Sequence, residues 1–290
     1  MTAFDPALVT GWFAAHARDL PWRRPGFSAW GTLVSEFMLQ QTQVARVVPI
    51  LEDWLRRWPT PADLAASPPS EVLRAWGRLG YPRRALALHA CATTIAERHG
   101  NRVPEDVDAL LALPGVGDYT ARAIAVFAHG RRHPVVDTNV RRVIARAVQG
   151  VAQPAAPNAR RDLPAMAALL PDDDVAQRAF NAGMMEIGAV VCTARAPRCD
   201  ECPLADVCAW RRAGYPQRDA PAARRQPRFE GSDRQRRGLV MAELRASDVP
   251  VADAELAVVL PDAEVRARVL AGLERDRLAA RGEDGWSLPS

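Results

Sequence analysis

The chain has 290 residues, of which 48% are hydrophobic and 25% are charged, and its formal net charge is +4. No apolar run approaches the roughly 20 residues that cross a bilayer, which excludes membrane-spanning helices and leaves a well-cored chain of one or two domains. All 38 basic residues are arginine, because the sequence contains no lysine. Arginine binds phosphate in a bidentate geometry, so the repeated arginine pairs suit a polyanionic partner, although a compositional bias on solvated faces explains them equally.

Aliphatic residues recur at helical spacing from Ala7 to Val190, between proline-rich turns, and convincing alternating strands are missing there. This pattern predicts an all-α unit over residues 1–213. Residues 214–237 are rich in proline, glutamine and arginine and are predicted to form a basic linker. Residues 238–290 predict a small separate module, in which the glycines at 282 and 285 favour a short hairpin.

The first motif is the string SEFMLQQTQV at residues 35–44. Glu36 is followed by apolar residues and then by three glutamines, a mixture that is unusual for a plain core face or a plain surface. Glutamates on helices usually face solvent, so an exposed Glu36 without a special role is the simple alternative.

The second motif is LPGVG at residues 113–117, directly before a predicted helix. Gly115 and Gly117 allow the backbone to approach a ligand closely, and the free amides of a helix start favour an anion. We therefore predict a phosphate contact here that does not depend on base sequence. An ordinary turn between two helices is the alternative.

Asp137 precedes the next predicted helix, in the position of an N-cap. A carboxylate fixed at a helix start is expected to stay ionised and to stabilise positive charge that develops beside it. The simple alternative is a capping residue with no further role.

Four cysteines, Cys192, Cys199, Cys202 and Cys208, have the spacing C-x6-C-x2-C-x5-C. Four thiolates this close suit an iron-sulfur cluster, whereas structural zinc usually takes two C-x2-C pairs. Zinc and two disulfides remain alternatives; disulfides are less expected because no export signal precedes the chain and the cytoplasm keeps thiols reduced. Cys91 lies in an apolar run and is predicted to be a small buried apolar residue.

Together these motifs resemble the MutY family of A/G-specific adenine DNA glycosylases, in the helix-hairpin-helix superfamily, over about residues 8–215. The resemblance implies an all-α, two-lobed fold with a [4Fe-4S] cluster in a loop held by the four cysteines. One lobe would have six helices over about residues 22–132, and the other would combine the N-terminal helix with residues 133–213. The last seventy or so residues do not share it, since typical members carry a larger Nudix-like domain, and residues 238–290 look winged-helix-like instead.

The resemblance also implies a catalytic pair. Glu36 would be the general acid that protonates adenine, and Asp137 would face the sugar of an extruded nucleotide. Asn139 is predicted to hold the Asp137 carboxylate by a hydrogen bond, and Tyr119 to pack or bond beside it. In bifunctional relatives such as endonuclease III a lysine occupies the Tyr119 position, so a chain without lysine is predicted to be monofunctional.

Further positions match residues of the family that contact DNA. Trp22, Arg23 and Glu186 match its adenine pocket, and Gln41 and Tyr81 match residues that enter the base stack. Trp22 could equally be a core residue, and an isolated arginine or glutamate is more often at the surface.

The cysteine loop carries several arginines, and Arg198 in particular is predicted to contact DNA phosphate. The predicted partner is double-stranded DNA with adenine mispaired with 8-oxoguanine or guanine, bound by a monomer in the cytoplasm at the nucleoid. Two alternatives stay open: a mismatch-specific thymine or uracil DNA glycosylase of the same superfamily, and a non-catalytic iron-sulfur DNA-binding protein.

Overall fold

The computed structural model describes residues 3–216 and 229–290, and its regular structure is almost entirely helical, which confirms the predicted all-α class. None of the described helices is long and apolar enough to span a membrane. The α-helices and strands, in chain order, are α1 (Ala7–His16), α2 (Ala29–Leu39), α3 (Val44–Arg57), α4 (Pro61–Ala65), α5 (Pro69–Trp76), α6 (Arg83–Arg98), α7 (Val107–Leu111), α8 (Asp118–Phe127), α9 (Thr138–Ala147), α10 (Ala159–Ala167), α11 (Asp174–Glu186), α12 (Ala209–Arg212), α13 (Asp233–Ala246), α14 (Asp253–Val259), α15 (Ala263–Arg275), β1 (Ala280–Arg281) and β2 (Trp286–Ser287). Shorter helical turns of 3-10 or π geometry cover Pro21–Arg23, Ile187–Val191 and Cys199–Glu201.

The chain divides into two compact units, and the first comprises the described parts of Met1–Thr32, Glu105–Leu111 and Gly117–Ala223. Its core forms where α11 packs against α1 and α9. Burial of an aliphatic or aromatic side chain stabilises a fold by about 1.5–3 kcal/mol, so this core fixes the two helices that carry Asp137 and Glu186. The buried core side chains include Val9, Val140, Val143, Ile144, Met166, Phe180, Met184 and Ile187.

The second unit comprises Leu33–Pro104, Ala112–Val116 and the described part of Arg224–Ser290. Helices α4 and α5 both pack against α6. The Trp54 ring lies in edge contact with the rings of Trp58 and Trp76, at centroid distances of 4.6 and 5.6 Å. Cys91 is fully buried, as predicted, and this burial raises the pKa of its thiol to about 12.

The C-terminal part of the second unit contains α13, α14, α15 and a two-stranded hairpin. Strand β1 pairs antiparallel with β2, and the Gly282 N–H donates to the Gly285 carbonyl at 2.8 Å, which confirms the predicted hairpin turn. Val251 forms a further antiparallel bridge with Trp286. Three helices followed by a hairpin is the element order expected of a winged-helix-like module, and that assignment stays a prediction.

Two observed boundaries differ from the sequence expectation. Residues 22–32, α7 and α8 group with the first unit rather than with a lobe of residues 22–132. The buried face of α8, which includes Val126, packs against Val135. Helix α13 begins inside the predicted linker of residues 214–237, because the Ser232 hydroxyl caps it by accepting from the Gln235 N–H at 3.3 Å. Residues 217–228 of that linker lie outside the described residues.

Candidate active site

Asp137 is the N-cap of α9, as the sequence predicts. Its Oδ1 accepts from the Val140 N–H at 2.7 Å, and its Oδ2 accepts from Asn139 Nδ2 at 2.8 Å. Burial raises the pKa of this carboxyl above its usual value, although the two hydrogen bonds and the nearby Arg142 charge act in the opposite direction. The helix start therefore stabilises the charged form, but burial dominates, contrary to the expectation from capping alone.

Asn139 is itself held by Arg142, one turn further along α9. Arg142 Nη2 donates to Asn139 Oδ1 at 2.8 Å and to the Gly188 carbonyl at 2.6 Å, and its Nε donates to the Cys192 carbonyl at 2.7 Å. Gly188 permits this close approach, because a Cβ atom there would lie 2.6 Å from the Asn139 Cβ. A continuous chain of hydrogen bonds thus joins Asp137 to the first cysteine of the loop.

Glu186, at the end of α11, binds two arginines from the N-terminal segment. Its Oε1 accepts from Arg18 Nε at 2.6 Å, and its Oε2 accepts from Arg18 Nη2 and Arg23 Nη2, each at 2.8 Å. Burial alone would raise the pKa of this carboxyl, whose residue is 1% exposed, but the two guanidinium groups outweigh it and lower the pKa to about 2. Trp22, beside Arg23, is partly exposed rather than part of the core.

Glu36 lies in the second unit, on α2, and only 8% of its surface is exposed. The solvent-facing alternative for Glu36 is therefore wrong. Its neighbour Ser35 is also buried. Because Glu36 and Asp137 belong to different units, their convergence on one cavity stays a prediction.

Tyr119 lies on the first turn of α8 and packs against the small apolar cluster of Ala123, Val126 and Val135. Val135 lies two residues before Asp137, in the loop between α8 and α9. The ring therefore lies in the first unit, and its predicted contact beside the Asp137 carboxylate stays a prediction.

The glycine turn before α8 has the expected backbone. Gly115 has a φ of +77°, and a Cβ atom there would lie 2.9 Å from both the Ala87 Cβ and the Phe37 ring. Gly117 is the N-cap of α8, has a negative φ, and faces open space. The Asp118 carboxylate in the first turn pairs with Arg122 at 3.1 Å, which offsets its negative charge beside a predicted phosphate contact.

Gln41 and Tyr81 both have left-handed backbone conformations, with φ values of 56° and 48°. Both are exposed, and Tyr81 is 43% exposed. A left-handed conformation costs a residue with a Cβ about 1–2 kcal/mol, so neighbouring contacts must hold these two turns.

The four clustered cysteines line one cavity, together with side chains that include Val191 and Trp210. All five cysteines of the chain are free thiols. Among residues 3–216 and 229–290, no group of three or more His, Cys, Asp or Glu side chains is placed to hold a single metal ion. Arg146, on α9, donates to the Cys192 Sγ at 3.4 Å and to the Thr193 carbonyl at 2.7 Å, and its guanidinium lies 4.7 Å from the Trp210 ring centroid.

The arginines of this loop differ in their partners. Arg198 pairs with Glu201 at 2.9 Å and also donates to the Val190 carbonyl, so its charge is partly satisfied within the loop. Arg195 and Arg212 are exposed and form no ion pair within the part of the chain that the structure describes. The phosphate contact of Arg198 stays a prediction.

Comparisons with known proteins agree with this arrangement. Residues 34–165 match the family model described as HhH-GPD superfamily base excision DNA repair protein. The chain is 55% identical to an adenine DNA glycosylase of Mycobacterium tuberculosis, over 97% of this chain and 92% of that protein. An adenine DNA glycosylase of Mycolicibacterium smegmatis is also 55% identical, over 98% of this chain and 95% of that protein. The chain belongs to the adenine DNA glycosylase family of this superfamily.

Other members of the superfamily match a smaller part of the chain. A thymine/uracil-DNA glycosylase of Pyrobaculum aerophilum is 36% identical, over 72% of this chain and 92% of that protein. Among solved structures, a thermostable thymine-DNA glycosylase has a TM-score of 0.64 and 27% identity, over 72% of this chain and 95% of that one. These matches confirm the helix-hairpin-helix fold.

The chain also matches a second family model, described as the iron-sulfur binding domain of endonuclease III, over residues 192–208. This segment runs from the first to the fourth clustered cysteine and holds a [4Fe-4S] cluster. Four thiols lining one cavity are the donor set that such a cluster requires. The zinc and disulfide alternatives are therefore rejected.

Three arginines that hold residues of the first unit were not predicted from the sequence, namely Arg18, Arg142 and Arg146. Arg142 had a usable signal, because it lies three residues after Asn139 on one helix, where side chains meet. The others contact partners far along the chain and carry no local signature.

Proposed function

We propose that this protein is a base-excision-repair glycosylase that hydrolyses the N-glycosidic bond of adenine mispaired with 8-oxoguanine or guanine in duplex DNA. The observation that carries the proposal is its high identity, along almost the whole chain, to proteins named adenine DNA glycosylase. Adenine inside a duplex must be extruded before its glycosidic bond is reached, and a mispair lowers that cost.

Breaking the bond between N9 and C1′ leaves negative charge on adenine and positive charge on the sugar. Glu36 would donate a proton to the leaving adenine, and its burial suits a carboxyl group that must carry that proton. Asp137 would stay charged against C1′, stabilising the cation or bonding to it transiently, until water adds there.

The contacts of Asp137 support this role. A carboxylate that opposes a cation must be ionised and correctly oriented. The hydrogen bonds from Val140 and Asn139 orient it and favour its charged form, against the burial that raises its pKa. Asn139 would act as a positioning residue, and Tyr119 would complete the apolar wall on this side of the site.

Arg23, Trp22 and Glu186 would form the adenine pocket. Both oxygens of Glu186 already accept hydrogen bonds from Arg18 and Arg23, so its contribution would be to orient Arg23 rather than to bind the base directly. The partly exposed Trp22 ring offers a flat surface on which an extruded base could stack.

Duplex DNA would be held through its phosphates and its base stack. Gly115 and Gly117 would present backbone N–H groups to one phosphate, and Gln41 and Tyr81 would enter the stack. Arg198 would contact phosphate, and the exposed Arg195, which forms no ion pair within residues 3–216 and 229–290, would extend that basic surface of the iron-sulfur loop. We further propose that the protein acts as a monomer, in the cytoplasm at the nucleoid.

The four clustered cysteines, Cys192, Cys199, Cys202 and Cys208, would be the ligands of the [4Fe-4S] cluster. The cluster would fix the fold of the loop. Because Arg142 links that loop to Asn139, an intact loop also supports the geometry of Asp137.

Thymine or uracil excision is a second candidate, and the match to a thymine/uracil-DNA glycosylase of Pyrobaculum aerophilum favours it. That relative matches a smaller share of the chain at lower identity than the mycobacterial proteins do. We therefore propose adenine, rather than thymine or uracil, as the base that is released.

The test is base release from duplexes that place adenine opposite 8-oxoguanine, guanine or cytosine, with thymine opposite guanine as the competing substrate. We expect release of adenine opposite 8-oxoguanine and guanine only, and Asp137→Asn should abolish it while duplex binding and folding persist. Release of thymine alone would favour the second candidate. Tight binding with no base release from any duplex would identify a non-catalytic DNA-binding protein.

A further inference from the structure

Two turns of the second unit share an unusual backbone. The Gln41 turn (residues 40–43) joins α2 to α3, and the Tyr81 turn (residues 79–82) precedes α6. Each holds an exposed non-glycine residue in the left-handed region. Such conformations persist only where surrounding contacts over-determine them.

One side chain, that of Arg84 in the first turn of α6, binds the Gln41 turn. Its Nη1 donates to the carbonyls of Phe37 at 2.8 Å and Met38 at 3.0 Å, and also to the carbonyl of Gln40. Its Nη2 donates to the Thr42 Oγ1 at 2.9 Å. The last carbonyls of α2 have no helical donor of their own, so Arg84 satisfies the end of that helix.

The same guanidinium binds the Tyr81 turn. Nη2 donates to the Gly80 carbonyl at 2.9 Å and to the Leu79 carbonyl at 3.4 Å. The group lies 5.6 Å from the Tyr81 ring centroid and 5.2 Å from that of Trp76. Arg84 therefore joins both turns through a single rigid group.

All of these acceptors are neutral. Arg84 forms no ion pair among residues 3–216 and 229–290, and burial lowers the pKa of its guanidinium to about 10. A planar fork of five N–H donors holds acceptors from two segments in one fixed geometry, whereas a lysine ammonium is a compact charge with three donors on a flexible stem and cannot reproduce that geometry. Neutral backbone acceptors from two turns are the partners expected of a side chain that joins those turns.

We propose that Arg84 is a positioning residue that locks the Gln41 turn and the Tyr81 turn into one preformed unit that enters the base stack. This rests on the proposed function, in which Gln41 and Tyr81 contact the stack. Preforming both turns avoids ordering them during base extrusion. Thr42 adds a direct link, because its hydroxyl donates to the Leu79 carbonyl at 3.2 Å.

The test compares wild type with Arg84→Lys, and with Arg83→Lys as the matched control. Arg83 is the neighbouring residue, is mostly exposed, and pairs only with Asp276 among the described residues. Single-turnover base release is measured with adenine opposite 8-oxoguanine and with adenine opposite an abasic site, where the adenine has no pairing partner. In parallel, 2-aminopurine beside the target adenine reports unstacking in stopped-flow fluorescence.

We expect Arg84→Lys to slow unstacking and base release on the paired substrate by about ten- to a hundredfold, the scale of a small misplacement. Release from the unpaired substrate should stay near wild type, and Arg83→Lys should match wild type on both. Equal losses on both substrates, or no loss at all, would overturn the proposal.

Two further outcomes are separable. If Arg84→Lys does not fold, Thr42→Val, which removes one acceptor and the direct link, should show a smaller loss confined to the paired substrate, and its absence would overturn the proposal. If wild type releases no base, the proposed function fails. The unstacking rates of wild type and Arg84→Lys then decide the role of Arg84 by themselves.

Discussion

At Asp137 two opposing effects act on one carboxylate. Burial favours the protonated form, whereas hydrogen bonds from Val140 and Asn139 favour the charged form. In the proposed role, in which Asp137 opposes a sugar cation at neutral pH, the carboxylate depends on the second effect. The balance makes the ionisation of Asp137 sensitive to a single contact.

We predict that Asn139→Ala moves the acid limb of the pH profile for base release to higher pH. Loss of the hydrogen bond to Oδ2 removes a contact that favours the charged form, so the pKa of Asp137 rises further. Activity should fall most at low pH and recover partly as pH rises. Thr138→Ala, an exposed change on the same turn, is the control and should leave the profile in place. A loss that is uniform with pH would contradict this account.

Glu186 gives a prediction on stability. Its folded pKa of about 2 lies below the ordinary value of 4.5, so its stabilising effect is complete above pH 4.5 and is lost as pH falls toward 2. Between pH 6 and pH 3.5 the wild type should lose about 1 kcal/mol of unfolding free energy that Glu186→Gln does not lose. Urea unfolding at several pH values measures this difference. Glu201→Gln removes an exposed partner of Arg198 and should behave like wild type; parallel curves for wild type and Glu186→Gln would contradict the prediction.

Residues with a local signature could be predicted from the sequence. Asp137 was placed at a helix start because short polar residues cap helices, and Cys91 was predicted to be buried because of its apolar neighbours. Arg18 and Arg84 were missed, since one arginine among 38 looks like any other and their partners are distant in sequence. The pairing of Arg198 with Glu201 was not visible in the sequence, and its contact with phosphate stays a prediction.

At the scale of elements, the two glycines of the turn before α8 differ in their surroundings. Gly115 needs a positive φ and lies against Ala87 and Phe37, whereas Gly117 has ordinary backbone and open space beside it. The two glycines look equivalent in the string LPGVG, and only their surroundings distinguish them.

We predict opposite effects for substitutions at these glycines. Gly115→Ala should destabilise the fold by about 2–4 kcal/mol, because it adds backbone strain and an overlapping methyl group. Gly117→Ala should change stability by less than about 1 kcal/mol yet weaken duplex affinity, because its methyl group keeps a phosphate from the N–H groups of α8. Thermal unfolding and binding titrations measure the two effects. Unchanged affinity of Gly117→Ala would remove the phosphate contact from this turn.

The all-α class was predicted because the apolar residues recur at helical spacing, but the boundaries of the helices depend on short capping signals. Helix α13 begins inside a stretch whose composition indicated a linker, because Ser232 caps it and its later turns bury Val240, Met241 and Leu244. Similarly, α8 groups with the first unit because of tertiary packing on Val135, which periodicity does not encode. The apolar pattern therefore indicates that helices are present, and tertiary packing decides with which unit each helix groups.

At the scale of the whole molecule, no position of the sequence is occupied by lysine. Strand cleavage by bifunctional glycosylases requires an amine that condenses with the sugar carbon after base loss and expels water to form a Schiff base. Arginine stays protonated and cannot act as this nucleophile. The only amine in this chain is the α-amino group at its first residue.

We therefore predict that borohydride traps no covalent complex between this protein and DNA that contains adenine opposite 8-oxoguanine, although base release proceeds. The released product should remain an intact strand until alkali or heat cleaves it at the abasic site. Endonuclease III, on a duplex that it cleaves, serves as the positive control for trapping. A trapped complex would contradict monofunctional chemistry, and repeating the reaction with an acetylated N-terminus would show whether the α-amino group had supplied the nucleophile.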